Sequence, residues 1–325
     1  MLRFILRRLL ISIPLLLIAS VLVFTVIHLT TDPVAGLRVN PRISAADMTR
    51  YRHDLGLDRS GPAQYFAWLG NFVRGNWGSS LFSGISVSKQ IREALVNSMV
   101  LGITGFALAL LLGVAIGVIA AIRQYSPFDY LATSGAFLAL SIPTFWFALI
   151  MQLVFGVYLV RWLHLSEPIL FTAGMSQPGT VGFDLVDRLR HLALPAIVLA
   201  VQLIAVYSRY MRASMLEVLG SDYLRTARAK GVRERRVVVN HGVRNALIPL
   251  TTQAAIDFGA LAAGLIATEA IFQWPGMGAL FVRVMNDGDY AIALPWVMLT
   301  MAFVIVFNLV ADVLYAVLDP RIRYA

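Results

Sequence analysis

Few residues of this 325-residue chain have a type and spacing that could support chemistry. The sequence has no cysteine, which excludes disulfides and thiolate catalysis. Its five histidines, at positions 28, 53, 164, 191 and 241, never pair at the spacing of metal ligands. It has neither the Gly-Lys of a phosphate-binding loop nor a Gly-x-Ser-x-Gly nucleophile motif. We therefore predict a non-catalytic chain that binds no cofactor or metal, and any energised work would depend on an ion gradient or another subunit.

The densest group of charged side chains lies in a basic loop, residues 219–246, between two apolar stretches. Nine Lys or Arg residues fall between Arg209 and Arg244. Asp222 can cap a short helix over Tyr223 to Lys230, and Gly231 is a natural stop. A short basic loop between membrane helices is typical of the cytoplasmic side. The pattern predicts a cytoplasmic helix that a partner could bind, and a solvated loop that only sets topology is the alternative.

Ionisable side chains inside apolar stretches are the second candidate site. Asp257 lies in mid-stretch, one helical turn after Gln253. A carboxylate at that depth is costly and usually faces a cavity or a partner. Two interpretations stay open for Asp257: a group on a translocation path, or a structural contact to another helix or to an arginine of a partner. Glu269, at the outer end of the stretch, is predicted to shape the mouth of that path beside Trp274.

The composition places these residues in a membrane protein. The apolar fraction is 58%, the charged fraction is 14% and the mean hydropathy is +0.74. Soluble domains have about 45–50% apolar and about 25% charged residues. The net charge of +9 could suggest a nucleic-acid partner, but excess Lys and Arg on cytoplasmic loops explains it better. We predict contact with the lipid bilayer and none with nucleic acid.

The apolar stretches predict an all-α polytopic protein with six transmembrane helices and both termini in the cytoplasm. The predicted spans are Leu9–Leu29, Asn97–Ile122, Tyr130–Val160 (interrupted by Pro143), Leu192–Val218, Leu247–Phe272 and Ala291–Leu318. The first helix is too long for a signal peptide and is retained. The predicted organisation is an N-terminal segment and first helix (1–29), an extracytoplasmic segment (30–96) and a transmembrane core (97–325).

The extracytoplasmic segment is predicted to contain two amphipathic helices packed on the spans. Ser44 to Asp47 resembles a capping box that opens the first helix, which ends near Gly56. Pro62 marks the start of the second helix, and Gly75 ends it. Within the second span, Gly113 and Gly117 have the spacing of a close helix–helix contact, either within this chain or with a partner.

The basic loop resembles the cytoplasmic EAA loop of ATP-binding-cassette (ABC) importer permeases, in the variant of the dipeptide, oligopeptide and nickel group. Arg225, Thr226 and Ala227 stand at the Glu-Ala-Ala positions, and Gly231 has the family's spacing. Ile248-Pro249 corresponds to the family's later Leu-Pro. The departure from Glu-Ala is typical of the peptide group.

Further motifs extend the resemblance over essentially the whole chain. They are MLRFILRRLL, Thr31-Asp32-Pro33-Val34, Leu55–Arg59, Gly75-Asn76-Trp77-Gly78, Met215–Leu219, Thr268–Gly278 and Asp319–Arg323. Thr31 replaces the family's usual glycine. The N-terminal length and the long outer segment favour the B-type subunit over its C-type partner.

The resemblance implies a type I ABC importer permease fold and transport of di- or oligopeptides, with nickel or another small solute as the alternative. It implies a heterodimer with a C-type permease, two ATPases that hold ATP and Mg²⁺, and an extracytoplasmic substrate-binding protein. It also implies an ATPase-coupling helix, made of Tyr223, Arg225, Thr226, Ala227, Arg228, Ala229, Lys230 and Gly231.

Two other function classes compete with the importer subunit. A self-sufficient secondary transporter would have internal repeats with helices broken at matched positions, and no convincing repeat relates the two halves. An intramembrane enzyme would need a nucleophile and base, or a metal cluster, at the depth of the spans, and the sequence contains no such set.

Overall fold

The computed structural model describes residues 2–30, 44, 49–50, 52–53, 56–80, 82–179, 182–261 and 265–318. Regular structure in these ranges is helical, apart from one β-bridge between Ser79 and Ser86. The all-α fold class is therefore confirmed. Three sequence motifs lie outside or mostly outside the described residues: Thr31–Val34, Ser44–Asp47 and Asp319–Arg323.

The helices are numbered here in chain order. They are α1 (Leu2–Thr30), α2 (Gly61–Val73), α3 (Val87–Ile122), α4 (Pro127–Ser141), α5 (Thr144–Leu153), α6 (Leu159–Trp162), α7 (Leu185–Leu219), α8 (Asp222–Ala229), α9 (Glu234–Arg236), α10 (Arg244–Ala260), α11 (Ile266–Ile271), α12 (Met277–Asp287) and α13 (Tyr290–Leu318). Two π-helical segments, Val154–Tyr158 and Val237–Val243, connect α5 to α6 and α9 to α10.

Within the described residues, five helical stretches are long and apolar enough to cross a membrane. They are Leu10–Leu29, Val87–Ile122, Thr144–Trp162, Leu185–Leu219 and Tyr290–Val310. The predicted fifth span corresponds to two helices, the 17-residue α10 and the short α11. Residues 262–264, which connect them, are not among the described residues. The count of six spans and the orientation of the termini remain predictions.

Other predicted spans also differ from the helices observed; α7, for example, begins at Leu185 rather than Leu192. Helix α3 begins at Val87 rather than Asn97, because its first turns are helical outside the apolar stretch and bury Val87, Ile91 and Ala94 against α12 and α13. The predicted third span divides into α4 and α5, since the chain is extended at Ile142 and Pro143 (ψ of 122° and 133°). Pro143 cannot donate the backbone hydrogen bond that would continue α4.

The core of the fold is the contact between α3 and α7. Gly113 and Gly117 lie directly on α7, where a Cβ on Gly113 would stand 2.8 Å from Tyr207 Cβ and one on Gly117 would stand 2.6 Å from the Ser208 carbonyl oxygen. Both spacings are shorter than real Cβ contacts, so only glycine allows this approach. The small-residue spacing in α3 therefore serves packing within the chain, one of the two possibilities that the sequence left open.

The outer helix α2 packs on α1, as predicted for the second amphipathic helix. Pro62 lies in its first turn, and Gly75 follows with a left-handed φ of +79°. The Tyr65 and Ser20 hydroxyls are 2.7 Å apart in a buried hydrogen bond, and the Tyr65 ring packs edge-on against Phe24. These contacts fix α2 to α1.

Candidate functional site

The predicted coupling helix forms as α8, Asp222–Ala229, between the end of α7 and the second π-helical segment. Its N-cap residue is Ser221, which makes no side-chain cap hydrogen bond. Asp222 is therefore the first helical residue rather than the cap that the sequence suggested, and its carboxylate lies where the helix dipole favours negative charge. Leu224 is completely buried and anchors the helix to the rest of the protein.

The eight predicted coupling residues form an outward surface on α8 and the residues that follow it. Seven of them are exposed, and Ala227 is half-buried. The exposed members are Tyr223, Arg225, Thr226, Arg228, Ala229, Lys230 and Gly231. The surface combines cationic side chains with two alanines that permit close approach, which is suitable for binding in a groove of another protein.

The end of α8 has a defined conformation. Gly231 has a φ of +75°, and its N–H donates to the Arg228 carbonyl at 2.9 Å. Glycine adopts this left-handed conformation without a steric cost. The prediction that Gly231 ends the helix with positive φ is therefore confirmed. The chain then turns into residues 232–236, which lie beside α8.

An ion pair fastens that turn. Arg228 Nε and Nη2 donate to the Glu234 carboxylate at distances of 3.0–3.3 Å. Hydrogen bonding to the Arg228 guanidinium lowers the pKa of the Glu234 carboxyl below its ordinary value, and the same contact raises the pKa of Arg228. Both side chains therefore remain charged at neutral pH, and one of the exposed cations is already paired within the loop.

The exposed surface of α8 is also tied to the membrane helices. Asn245 Nδ2 at the start of α10 donates to the Tyr223 hydroxyl at 2.9 Å. The intervening π-helical segment buries Val237, Val238 and Gly242, and a Cβ on Gly242 would stand 2.9 Å from Met215 Cε of α7. A force applied to α8 would thus reach α7 directly and α10 through these contacts.

The two candidate path residues of α10 contact each other and α7. Asp257 Oδ2 accepts from the Tyr207 hydroxyl at 3.0 Å, and Oδ1 accepts from Gln253 Nε2 at 2.9 Å. The Tyr207 contact is a helix–helix hydrogen bond, one of the structural interpretations considered for Asp257. Assignment of Gln253 and Asp257 to a translocation path stays a prediction.

Glu269 lies in α11 with an exposure of 0%, although the sequence suggested a residue at an open mouth. Its Oε1 accepts from Ser98 Oγ at 2.6 Å and from the Leu265 N–H at 3.2 Å. Its Oε2 accepts from the N–H groups of Gly278 and Ala279 at 2.7 and 3.0 Å. The carboxylate therefore caps the first turn of α12. Its part in a translocation path stays a prediction.

Trp274 belongs to the same outer structure. Its indole Nε1 donates to the Asn97 carbonyl at 2.9 Å, and Asn97 Nδ2 donates back to the Pro275 carbonyl at 2.9 Å. The side chain of Trp274 is 1% exposed. Together with Glu269, it fixes the turn at Pro275 and Gly276 against α3.

Sequence reasoning missed an ion pair between α4 and α7. Arg212 of α7 donates from Nε and Nη2 to the two carboxylate oxygens of Asp129, at 2.5 and 2.7 Å. The Asp129 side chain is 3% exposed. The signal was an acid in the first turn of α4 and an arginine near the end of α7, and their separation of 83 positions conceals the pairing.

Comparison with known proteins gives matches over nearly all of the chain. Residues 113–324 match the family described as "Binding-protein-dependent transport system inner membrane component". Residues 1–83 match the family described as "Binding-prot-dependent transport system membrane comp, N-term".

Three relatives have similar lengths. The oligopeptide transport system permease protein AppB of Bacillus subtilis (strain 168) is 40% identical over 322 residues, which cover 99% of both chains. The glutathione transport system permease protein GsiC of Pectobacterium atrosepticum is 38% identical over 324 residues, with 100% of both covered. The oligopeptide transport system permease protein OppB of Mycobacterium bovis is 39% identical over 327 residues, with 99% of both covered.

Proposed function

Because this chain belongs to the family of binding-protein-dependent transport system inner membrane components, we propose that it is the permease subunit that forms the path for peptides in an ABC importer. It is a multi-pass protein of the cytoplasmic membrane. The observation that carries the proposal is the 40% identity, over 99% of both chains, with a permease named for oligopeptide transport. A second relative is named for glutathione, which favours a peptide over nickel as the substrate.

The exposed surface of α8 is the element through which this permease would receive energy. The described residues contain no cluster of three or more His, Cys, Asp or Glu side chains suited to a metal ion, and the sequence has no nucleotide-binding loop. We infer from the family's dependence on other transport components that partner ATPases bind ATP and Mg²⁺. Helix α8 would lie in a groove of one ATPase, with Arg225 and Lys230 facing that partner and Leu224 holding the helix to the permease.

The complete importer would contain four kinds of subunit. Beside this B-type chain we place a C-type permease as heterodimer partner, two ATPases and an extracytoplasmic substrate-binding protein. The family description supports the general composition, since transport in this family depends on a binding protein. This chain itself would remain non-catalytic.

Purification of the chain from its native membrane under mild conditions tests this assembly. We expect a second permease, two ATPases and a peptide-binding protein to be identified with it by mass spectrometry. Reconstitution of the complex should then give ATP-dependent uptake of a labelled peptide. A chain that is isolated alone and transports on its own would contradict the proposal and favour a secondary transporter.

A further inference from the structure

Three contacts join helix α4 to α7: an ion pair, a cation–π contact and a pair of hydrogen bonds. From the cytoplasmic end inward, they are Asp129 with Arg212, Phe137 with the guanidinium of Arg209 at 4.5 Å from the ring centroid, and the carbonyls of Ala139 and Ile142 with Gln202 Nε2 at 3.1 Å each. Ten positions separate Asp129 from Ala139 and also Arg212 from Gln202, about 15 Å of helix in each case. The two helices are therefore antiparallel.

The contact at the cytoplasmic end also closes the α3–α4 turn. Asp129 Oδ2 accepts from the Tyr125 N–H at 3.0 Å, where Tyr125 has a left-handed φ of +62°. The Asp129 N–H in turn donates to Ser126 Oγ at 3.3 Å. A two-point arginine–carboxylate contact is geometrically specific, and removal of one partner leaves a buried charge uncompensated. This carboxylate therefore sets where α4 begins relative to α7.

The inner contact lies at the break between α4 and α5. In a continuous helix the Ala139 carbonyl would accept from the N–H of residue 143, which is a proline and has none. Gln202 of α7 supplies the missing donor. Helix α4 is thus bonded to α7 at both ends, while its hydrogen-bond ladder to α5 is interrupted. Displacement of α7 would move α4 with it through both contacts, and the interrupted ladder allows the angle between α4 and α5 to change.

Helix α7 leads directly into the coupling helix. Arg212 lies seven residues before Leu219, the last residue of α7, which is about two helical turns. Only Gly220 and Ser221 separate α7 from α8, and Ser221 Oγ donates to the Val218 carbonyl at 2.5 Å. A displacement of α8 would therefore be passed to the segment of α7 that contains Arg212.

We propose that Asp129 and Arg212 are positioning residues that make α4 follow α7 when an ATPase displaces the coupling helix. The proposal rests on the proposed importer function, because it requires an ATPase bound to α8. The ion pair would convert a movement at the cytoplasmic surface into a change in the position of α4 relative to α5, where the transport path could open or close.

The test uses the complete importer reconstituted in vesicles and measures labelled peptide imported per ATP hydrolysed. We expect Asp129→Asn and Arg212→Gln each to lower this ratio about tenfold, within the usual range of coupling free energies, while ATP hydrolysis continues. The double variant should fall no further than either single variant, because both changes remove one contact. A purely structural role would lower the yield of complex, or both activities together, without changing the ratio.

Glu167→Gln is the matched control, since Glu167 forms an ion pair with Arg190 at 3.0 Å outside the α4–α7 contact. The ratio of peptide imported to ATP hydrolysed in this variant should equal that of the wild type. A wild-type ratio in Asp129→Asn would overturn the proposal. If that variant does not assemble, Arg212→Lys keeps the charge without the two-point geometry: a reduced ratio supports the proposal, and a wild-type ratio overturns it. Failure of the proposed function would be recognised separately, because the unmodified complex would then import no peptide.

Discussion

The Glu269 carboxylate accepts a hydrogen bond from the Ser98 hydroxyl at 2.6 Å, although 171 positions separate the two residues. The same hydroxyl accepts from the Met277 N–H at 2.7 Å, so α3, α11 and the start of α12 meet at one buried carboxylate. Among the described residues no cation pairs with Glu269, and the backbone N–H groups of the α12 N-terminus compensate its charge. The arrangement makes the outer turn before α12 a rigid structure.

Glu269→Gln should destabilise this outer turn. A glutamine amide cannot accept at both positions, so it would leave the N–H of Gly278 or Ala279, or the Ser98 hydroxyl, without a partner. An unsatisfied buried group costs about 1–3 kcal/mol. Thermal unfolding in detergent, followed by the fluorescence of Trp274 and the other tryptophans, should show a lower Tm. Glu167→Gln, at a half-exposed carboxylate, should leave Tm nearly unchanged, and equal Tm values for both variants would contradict a structural role of Glu269.

Replacement of Gly231 by valine should uncouple ATP hydrolysis from uptake while membrane insertion stays normal. No atom lies within 4 Å of the Cβ position, so the cost arises from the φ of +75° alone. That conformation costs a residue with a side chain roughly 1–2 kcal/mol, and the end of α8 would adopt another shape. Asparagine tolerates this region better, so Gly231→Asn should uncouple less.

Gly220 is the control for this series, because it precedes α8 with an ordinary φ of −81°. Gly220→Ala should retain the wild-type ratio of peptide imported to ATP hydrolysed. The measurement is that ratio in reconstituted vesicles, with the amount of inserted protein determined in parallel. Wild-type uptake by Gly231→Val would show that the turn after α8 has no part in coupling.

Local rules were enough to predict helices α8 and α2 from sequence. The start of α2 at Pro62 and the positive φ of Gly231 depend on the properties of single residues. The Glu269–Ser98 and Asp129–Arg212 contacts could not be predicted in this way, because each joins residues that only the folded chain brings together.

The error at the start of α3 has a different cause. Hydropathy marks only the part of a helix that is apolar on all sides, whereas residues 87–96 are amphipathic. Lys89 and Glu93 are exposed on one face, and Ile91 is 1% exposed on the other. The burial of Ile91 against α12 and α13 extends α3 beyond its apolar stretch.

Gly117→Ala should destabilise the contact between α3 and α7. The added Cβ would stand 2.6 Å from the Ser208 carbonyl oxygen and 3.0 Å from the Arg212 nitrogen, and both are backbone atoms that cannot rotate away. Overpacking of this kind costs about 1–3 kcal/mol, so Tm should fall. Gly135 of α4 is the matched control, because no atom lies within 4 Å of its Cβ position. Gly135→Ala should be neutral or stabilising, since alanine is the better helix former. Equal effects of the two substitutions would contradict the close approach at Gly117.

The role of Asp257 can be decided by a double-mutant cycle with Tyr207. One possibility is that the carboxylate is present to form the helix–helix hydrogen bond. Asp257→Asn and Tyr207→Phe should then each lower the stability of the protein. Their effects should be non-additive by about 0.6 kcal/mol, the average for such bonds in membranes. Peptide uptake per assembled complex should then be reduced to a similar extent in both variants.

If Asp257 instead acts on the translocation path, Asp257→Asn should reduce uptake strongly. Tyr207→Phe should not reduce it, because this variant keeps the carboxylate and its bond from Gln253. Uptake and thermal unfolding measured on the four members of the cycle distinguish these outcomes, and an Asp257→Asn variant with normal stability and normal uptake would exclude both roles.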